Sequence, residues 1–175
     1  MIFDSIWWVV AITALVLWFP QTVQHEGMHA IAARHWGATI TTFKPYRHKG
    51  TDGKWRWGAM SWEGGDYDDT ARGLISIAPQ FANTVILCFI IGVRWRFPDM
   101  PQVLASILAG WYITNAVDCG YSIGVFFRKQ PTKPSSDGWK FAQKLKLSPA
   151  TCRLAMATWY LWFGFHLFVP SWLVH

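Results

Sequence analysis

The sequence is poor in charged residues and contains only three cysteines. Charged residues make up 15% of its 175 residues, whereas ordinary soluble domains contain about 25%. Cys88, Cys119 and Cys152 show neither disulfide nor metal-ligand spacing, and we expect all three to be packing residues. The basic residues give a net charge of +6, but they form no patch interleaved with aromatic residues. These features argue against nucleic acid as a partner.

Long apolar runs take up most of the chain, in which apolar residues make up 52%. Four runs are predicted membrane spans, at about 5–34, 73–93, 102–127 and 152–174. A bilayer core requires about twenty apolar residues, so the first run qualifies only if protein shields its polar C-terminal half. A soluble bundle of very apolar helices is the alternative. We predict an all-α membrane protein of about four transmembrane helices in a single domain, 1–175.

Two polar segments separate these runs. The segment 37–70 contains the strand-like runs "ATITTFKPY" and "KWRWGAMSW", separated by the turn-forming "RHKGTDG". It predicts a small β-hairpin between the first and second spans. The segment 128–150 begins as a Pro/Ser-rich loop and continues into a short amphipathic helix, for which Ser136 or Asp137 can be the N-cap.

Lysine and arginine counts predict the orientation in the membrane. The first connection between spans carries seven such residues, the second carries two and the third carries six. The first and third connections are therefore expected on the cytoplasmic side, which makes 128–150 a cytoplasmic loop and short helix. No basic region or small-residue cleavage site accompanies the first span, so we expect it to be retained as an anchor.

The stretch "VQHEGMHAIAARHWG" at the polar end of the first span contains an H-E-x-x-H motif. Residues four apart share one face of a helix, so His25 and His29 can both direct their imidazoles at one metal ion. Glu26 lies beside them and can act as a general base on a water molecule at that ion. The chain has only two glutamates, which makes a chance match improbable. The alternative is a helix end whose polar residues meet water.

A catalytic zinc site normally has three protein ligands, and residue chemistry leaves two candidates for the third. Asp118 is an ionisable residue inside a span, where burial without a partner is costly. Asp137 lies at the start of the helix that leads to the fourth span, although a plain N-cap role would also suit it. Both carboxylates are predicted on the same side of the membrane as the two histidines. His166 lies toward the opposite face, and we expect it to be a hydrogen-bonded buried histidine.

Three stretches resemble the signatures of a known family. They are "VQHEGMHAIAARHWGA" inside a predicted transmembrane helix, "ISIAPQFANTVIL" at 75–87, and "PSSDGWKFAQKL" at 134–145. Together with the polar hairpin, they resemble the site-2 protease family of intramembrane zinc metalloproteases. Ala78 replaces the usual glycine of the second signature. In better-known members an Asn-Pro run closely precedes the Asp-Gly, whereas Asn115 lies 22 residues before Asp137.

The resemblance implies roles for individual residues. It makes His25, His29 and Asp137 the ligands of one zinc ion, with Asp118 as the alternative third ligand, and Glu26 the catalytic base. Asn83 and Asn115 are expected to support the zinc ligands, orient a substrate or bond helix to helix.

The resemblance also implies an activity. The chain is expected to be a multi-pass integral membrane protein and a zinc-dependent metalloendopeptidase. It would cleave a membrane protein or peptide near the cytoplasmic face of the lipid bilayer. A non-proteolytic adaptor that retains the zinc-binding fold and a small membrane transporter are the alternatives.

Overall fold

The computed structural model describes residues 6–50, 53, 55–56, 58–123 and 137–168. These residues are mostly helical, with a small antiparallel β-structure between the first two helices. The helices are α1 (Trp7–His35), α2 (Asp69–Arg96), α3 (Gln102–Ile123), α4 (Asp137–Lys144) and α5 (Pro149–Phe168). The strands are β1 (Thr39–Lys44), β2 (His48–Lys49), β3 (Trp55–Arg56) and β4 (Ala59–Glu63).

Two of the described helices, α1 and α2, are long and apolar enough to cross a membrane. Helix α3 lies within the third predicted span, and α5 begins three residues before the fourth. The remaining residues of these spans, 124–127 and 169–174, are outside the described residues. Helices therefore occur at all four predicted positions. Of the four predicted membrane crossings, two coincide with helices that are long and apolar enough to be candidate spans, and the full set of four stays a prediction.

The polar segment after α1 forms the predicted hairpin. Gly37 has a φ of +78°, a left-handed conformation that ends α1, and its N–H donates to the carbonyl of Arg34 at 2.9 Å. Strand β1 then pairs antiparallel with β4, with a register irregularity between Ile40 and Thr42, and β2 pairs with β3 inside the same hairpin. The hairpin packs against α1, and Gly58, directly before β4, lies against Glu26 of that helix.

Helices α1 and α3 approach each other closely. A Cβ atom at Gly110 of α3 would lie 2.7 Å from the Cβ of Thr13 and 2.8 Å from the main-chain oxygen of Val10 in α1. Small residues at such crossings allow two backbones to pack directly, as is common between helices in membranes. This contact sets the distance between the helix that carries the H-E-x-x-H motif and the helix that carries Asp118.

The short helix α4 is held against the start of α2. The Lys144 ammonium donates to the Asp69 carboxylate at 2.7 Å, and Gly73 of α2 leaves room for the Lys144 and Phe141 side chains. Because this pair is exposed, its energetic contribution is small. The packing nevertheless places Asp137, the first residue of α4, beside the polar end of α1.

We predict that Gly110→Ala lowers the free energy of unfolding by about 1–3 kcal/mol, because the new methyl group would overlap the α1 backbone and force the helices apart. Thermal unfolding of the purified chain in detergent micelles measures this effect. Gly164→Ala in α5 is the matched control, since a Cβ there meets no atom of the described residues within 4 Å. Equal stability of the two variants would contradict the proposed close approach.

Candidate metal centre

His25, His29 and Asp137 form a group that can hold a metal ion. One ligand atom from each lies within 4.8 Å of the other two. The Nε2 atoms of His25 and His29 are each 3.4 Å from the same oxygen, Oδ2 of Asp137. The three side chains are 14%, 10% and 18% exposed, so the cluster is largely shielded from solvent. The structure therefore brings together the three residues named from the sequence, although Asp137 lies more than a hundred positions from the two histidines.

The 3.4 Å separations fit donors arranged around an ion better than hydrogen-bonded partners. A charge-assisted N–H···O bond is about 2.7–2.9 Å long. Two donors about 2.0–2.1 Å from one tetrahedral ion are about 3.3 Å apart. Both distances to Asp137 match the second value. Two neutral imidazoles and a carboxylate also match the ligand set of catalytic zinc sites, which use three protein ligands.

The other nitrogen of each imidazole faces an obligate acceptor. Nδ1 of His25 lies 2.8 Å from Oδ2 of Asp118, and Nδ1 of His29 lies 2.8 Å from the main-chain oxygen of Ile75. A carbonyl oxygen cannot donate, and neither can an ionised carboxylate, so each Nδ1 carries the hydrogen in these contacts. In the neutral form of each ring, the Nε2 lone pair is then free to bind a cation. These contacts orient both rings toward Asp137.

Asp118 belongs to a polar network between α1, α2 and α3. Its Oδ2 accepts from Nδ2 of Asn83 at 2.6 Å and from Nε2 of Gln21 at 3.3 Å, in addition to His25. Oδ1 of Asn83 in turn accepts from Gln21 at 2.9 Å and from Gln24 at 2.8 Å. Asn83 is fully buried and Gln21 is 6% exposed. The network satisfies polar groups whose burial without partners would be costly.

The surroundings of Asp137 favour its ionised form. Burial alone would raise the pKa of its carboxyl group, but the imidazoles of His25 and His29, in their protonated form, outweigh burial and hold this pKa well below its ordinary value. The Lys140 ammonium lies 3.7 Å from the second carboxylate oxygen, Oδ1. A ligand carboxylate must be ionised to bind a metal, and this environment supplies that state.

Glu26 lies next to the cluster without being part of the ligand group. Its carboxylate interacts electrostatically with His25, His29 and Asp137. The backbone before β4 covers it, because a Cβ added at Gly58 would overlap Oε1 of Glu26. The hairpin thus forms one wall of the space that contains the Glu26 carboxylate.

Two other sequence predictions have different outcomes. Asn115 is fully buried, and its Nδ2 donates to the carbonyl of Trp111 in its own helix at 2.9 Å, so its expected link to the site remains a prediction. The buried Nε2 of His166 has no hydrogen-bond partner among the described residues, and the expectation of a hydrogen-bonded His166 stays a prediction for its other nitrogen. Its ring instead packs edge-on against Trp95 and Trp162, at centroid distances of 5.4 Å and 5.0 Å.

Sequence reasoning missed Gln21 and the Ile75 carbonyl. Gln21 precedes His25 by four residues and so lies on the same face of α1, a signal that helical periodicity could have supplied. The Ile75 carbonyl carries no side-chain signature. It becomes a candidate partner of His29 only when the packing of α1 against α2 is known.

Comparison of the chain with known protein families, curated proteins and solved structures finds no match. The case for a metal centre therefore depends on the chain's own geometry. That geometry consists of two imidazoles and a carboxylate with convergent donor atoms, and of hydrogen-bond acceptors behind both imidazoles.

We predict different outcomes for the two candidate third ligands. Asp137→Asn removes the charged oxygen that faces both Nε2 atoms, so the ion should be lost on dialysis. Asp118→Asn removes only the charge behind His25, so one ion per chain should remain, with an affinity about 10–100-fold weaker. Metal analysis after dialysis and a competition titration measure both outcomes. Retention of the ion in Asp137→Asn and its loss in Asp118→Asn would reverse the two assignments.

Proposed function

We propose that the chain is a membrane-embedded zinc metalloprotease that hydrolyses a peptide bond of a membrane protein or peptide near the cytoplasmic face. The observation that carries the proposal is the convergence of the Nε2 atoms of His25 and His29 on one oxygen of Asp137, each at 3.4 Å. Glu26, which belongs to the same H-E-x-x-H motif, lies beside this cluster. A binding site for a metal alone has no need of this additional carboxylate.

Zinc is the metal that the donor set favours. Imidazole nitrogens argue against calcium and magnesium, which take oxygen ligands. A compact group of two imidazoles and one carboxylate is typical of a zinc site that leaves a fourth position open. When bound there, a zinc ion supplies Lewis acidity, which polarises a carbonyl group and makes a water molecule more acidic.

The protein side chains perform the remaining tasks. Glu26 is proposed as the general base that accepts a proton from the attacking water and delivers it to the leaving amine. Asp118 and the Ile75 carbonyl keep the imidazoles oriented through their Nδ1 hydrogens. The backbone at Gly58 lies against the Glu26 side chain and forms one wall around it.

Exposed apolar side chains support the membrane location. Leu15 and Val16 of α1 are 76% and 65% exposed, and Phe81 of α2 is 70% exposed. On α5, Leu161 is 74% exposed. Exposed apolar surface of this extent is typical of contact with lipid or with another protein. With the basic residues concentrated in the first and third connections, we infer a multi-pass topology with the metal centre toward the cytoplasm.

Glu26→Gln is expected to reduce cleavage of a tagged single-span membrane substrate by at least about 100-fold, because it removes the general base. Bound zinc should remain at the wild-type level, since Glu26 is outside the ligand group. Cleavage is measured by gel shift in proteoliposomes reconstituted with zinc.

Glu63→Gln is the matched control, because Glu63 is the only other glutamate of the chain and is exposed on β4. It should cleave at the wild-type rate. If the wild type binds zinc but shows no more cleavage than Glu26→Gln, the adaptor alternative is indicated. An absence of zinc binding would rule out the metalloprotease.

A further inference from the structure

Helix α2 contains an internal proline, Pro79, four residues after Ile75, whose main-chain carbonyl contacts His29. Proline has no backbone N–H, so it cannot donate to the carbonyl four residues earlier in a helix. For Pro79 that carbonyl belongs to Ile75. It is the same carbonyl whose oxygen lies 2.8 Å from Nδ1 of His29.

Because the Ile75 carbonyl is buried, the loss of its helical hydrogen-bond donor would be energetically costly. Ile75 is fully buried, and Pro79 is among the fully buried side chains of the bundle. A buried carbonyl that lacks its helical partner must find another donor or incur a desolvation penalty. Prolines are tolerated within transmembrane helices where a neighbouring helix provides such a donor. Here the donor is the imidazole of a metal ligand on α1.

We propose that Pro79 is a positioning residue for His29. By withholding its own hydrogen bond, Pro79 leaves the Ile75 carbonyl free to accept the Nδ1 hydrogen of His29. This fixes the tautomer and the rotation of the ring, and it directs Nε2 toward Asp137. The backbone of α2 thereby does for His29 what the Asp118 carboxylate does for His25.

This role concerns metal binding and does not require the chain to be a protease. It can therefore fail while the proposed function stands, and it can hold where the proposed function fails. It also distinguishes Pro79 from a purely structural proline, whose replacement would change the stability of the helix without weakening metal binding. Replacing a proline inside a helix restores a backbone hydrogen bond and should favour the helix. If Pro79 positions His29, the same replacement weakens metal binding.

The test uses the full chain in detergent micelles, with Pro79→Ala and Pro79→Val. Both variants restore the N–H, and valine also fills most of the space that alanine leaves empty. The dissociation constant for Zn²⁺ is measured by competition with a chromophoric chelator. We expect a 10–100-fold increase in both variants, the range found when the outer hydrogen-bond partner of a metal-bound histidine is removed. Thermal stability of the metal-free chain should be unchanged or higher.

Gly92→Ala is the matched control, since it strengthens the same helix at a site where an added Cβ meets no atom within 4 Å in the described part of the chain. Its zinc affinity should equal that of the wild type. Histidine-selective ¹⁵N NMR of the metal-free chain gives a second readout. His29 should show the Nδ1–H tautomer in the wild type and a mixture of tautomers in both Pro79 variants.

Three results would overturn the proposal. The first is a zinc dissociation constant within twofold of the wild type in both Pro79 variants. The second is a weakening in Pro79→Ala that is absent in Pro79→Val, which would assign the effect to a cavity. The third is a His29 tautomer that neither variant changes.

Discussion

The hydrogen bonds to the Nδ1 atoms of the two motif histidines are the constraint on which the site depends. An imidazole on a helix can rotate, and either nitrogen can carry the proton. In this chain His25 is held by a carboxylate and His29 by a main-chain carbonyl, each at 2.8 Å. Both Nε2 atoms thereby face the same carboxylate oxygen, which belongs to Asp137 at the start of α4. The metal-binding capacity follows from this convergence.

The same contacts explain how an apolar helix tolerates a polar end. Gln21 and His29 of α1 are buried, and such groups are costly to bury without partners. Asn83 of α2 and Asp118 of α3 supply those partners, so the polar half of α1 is shielded by protein. The close approach of α1 and α3 at Gly110 brings these groups into range.

Local patterns predicted the parts of the site that depend on a single element. Helical spacing placed His25 and His29 on one face, and turn chemistry placed the hairpin after α1. The choice between Asp118 and Asp137 was beyond such reasoning, because it depends on which ring nitrogen each acid faces. That is decided by how α3 and α4 pack around α1. The Ile75 carbonyl was unpredictable for the same reason, since a main-chain group has no signature in the sequence.

X-ray absorption at the zinc edge, recorded on the purified full chain loaded with one equivalent of zinc, tests the central claim most directly. The account predicts a first coordination shell of two imidazole nitrogens and carboxylate or water oxygens at about 2.0–2.2 Å, without sulfur. A sulfur contribution at about 2.3 Å, which would place a cysteine at the ion, would contradict the account. A shell of oxygens alone, without imidazole scattering, would contradict it equally.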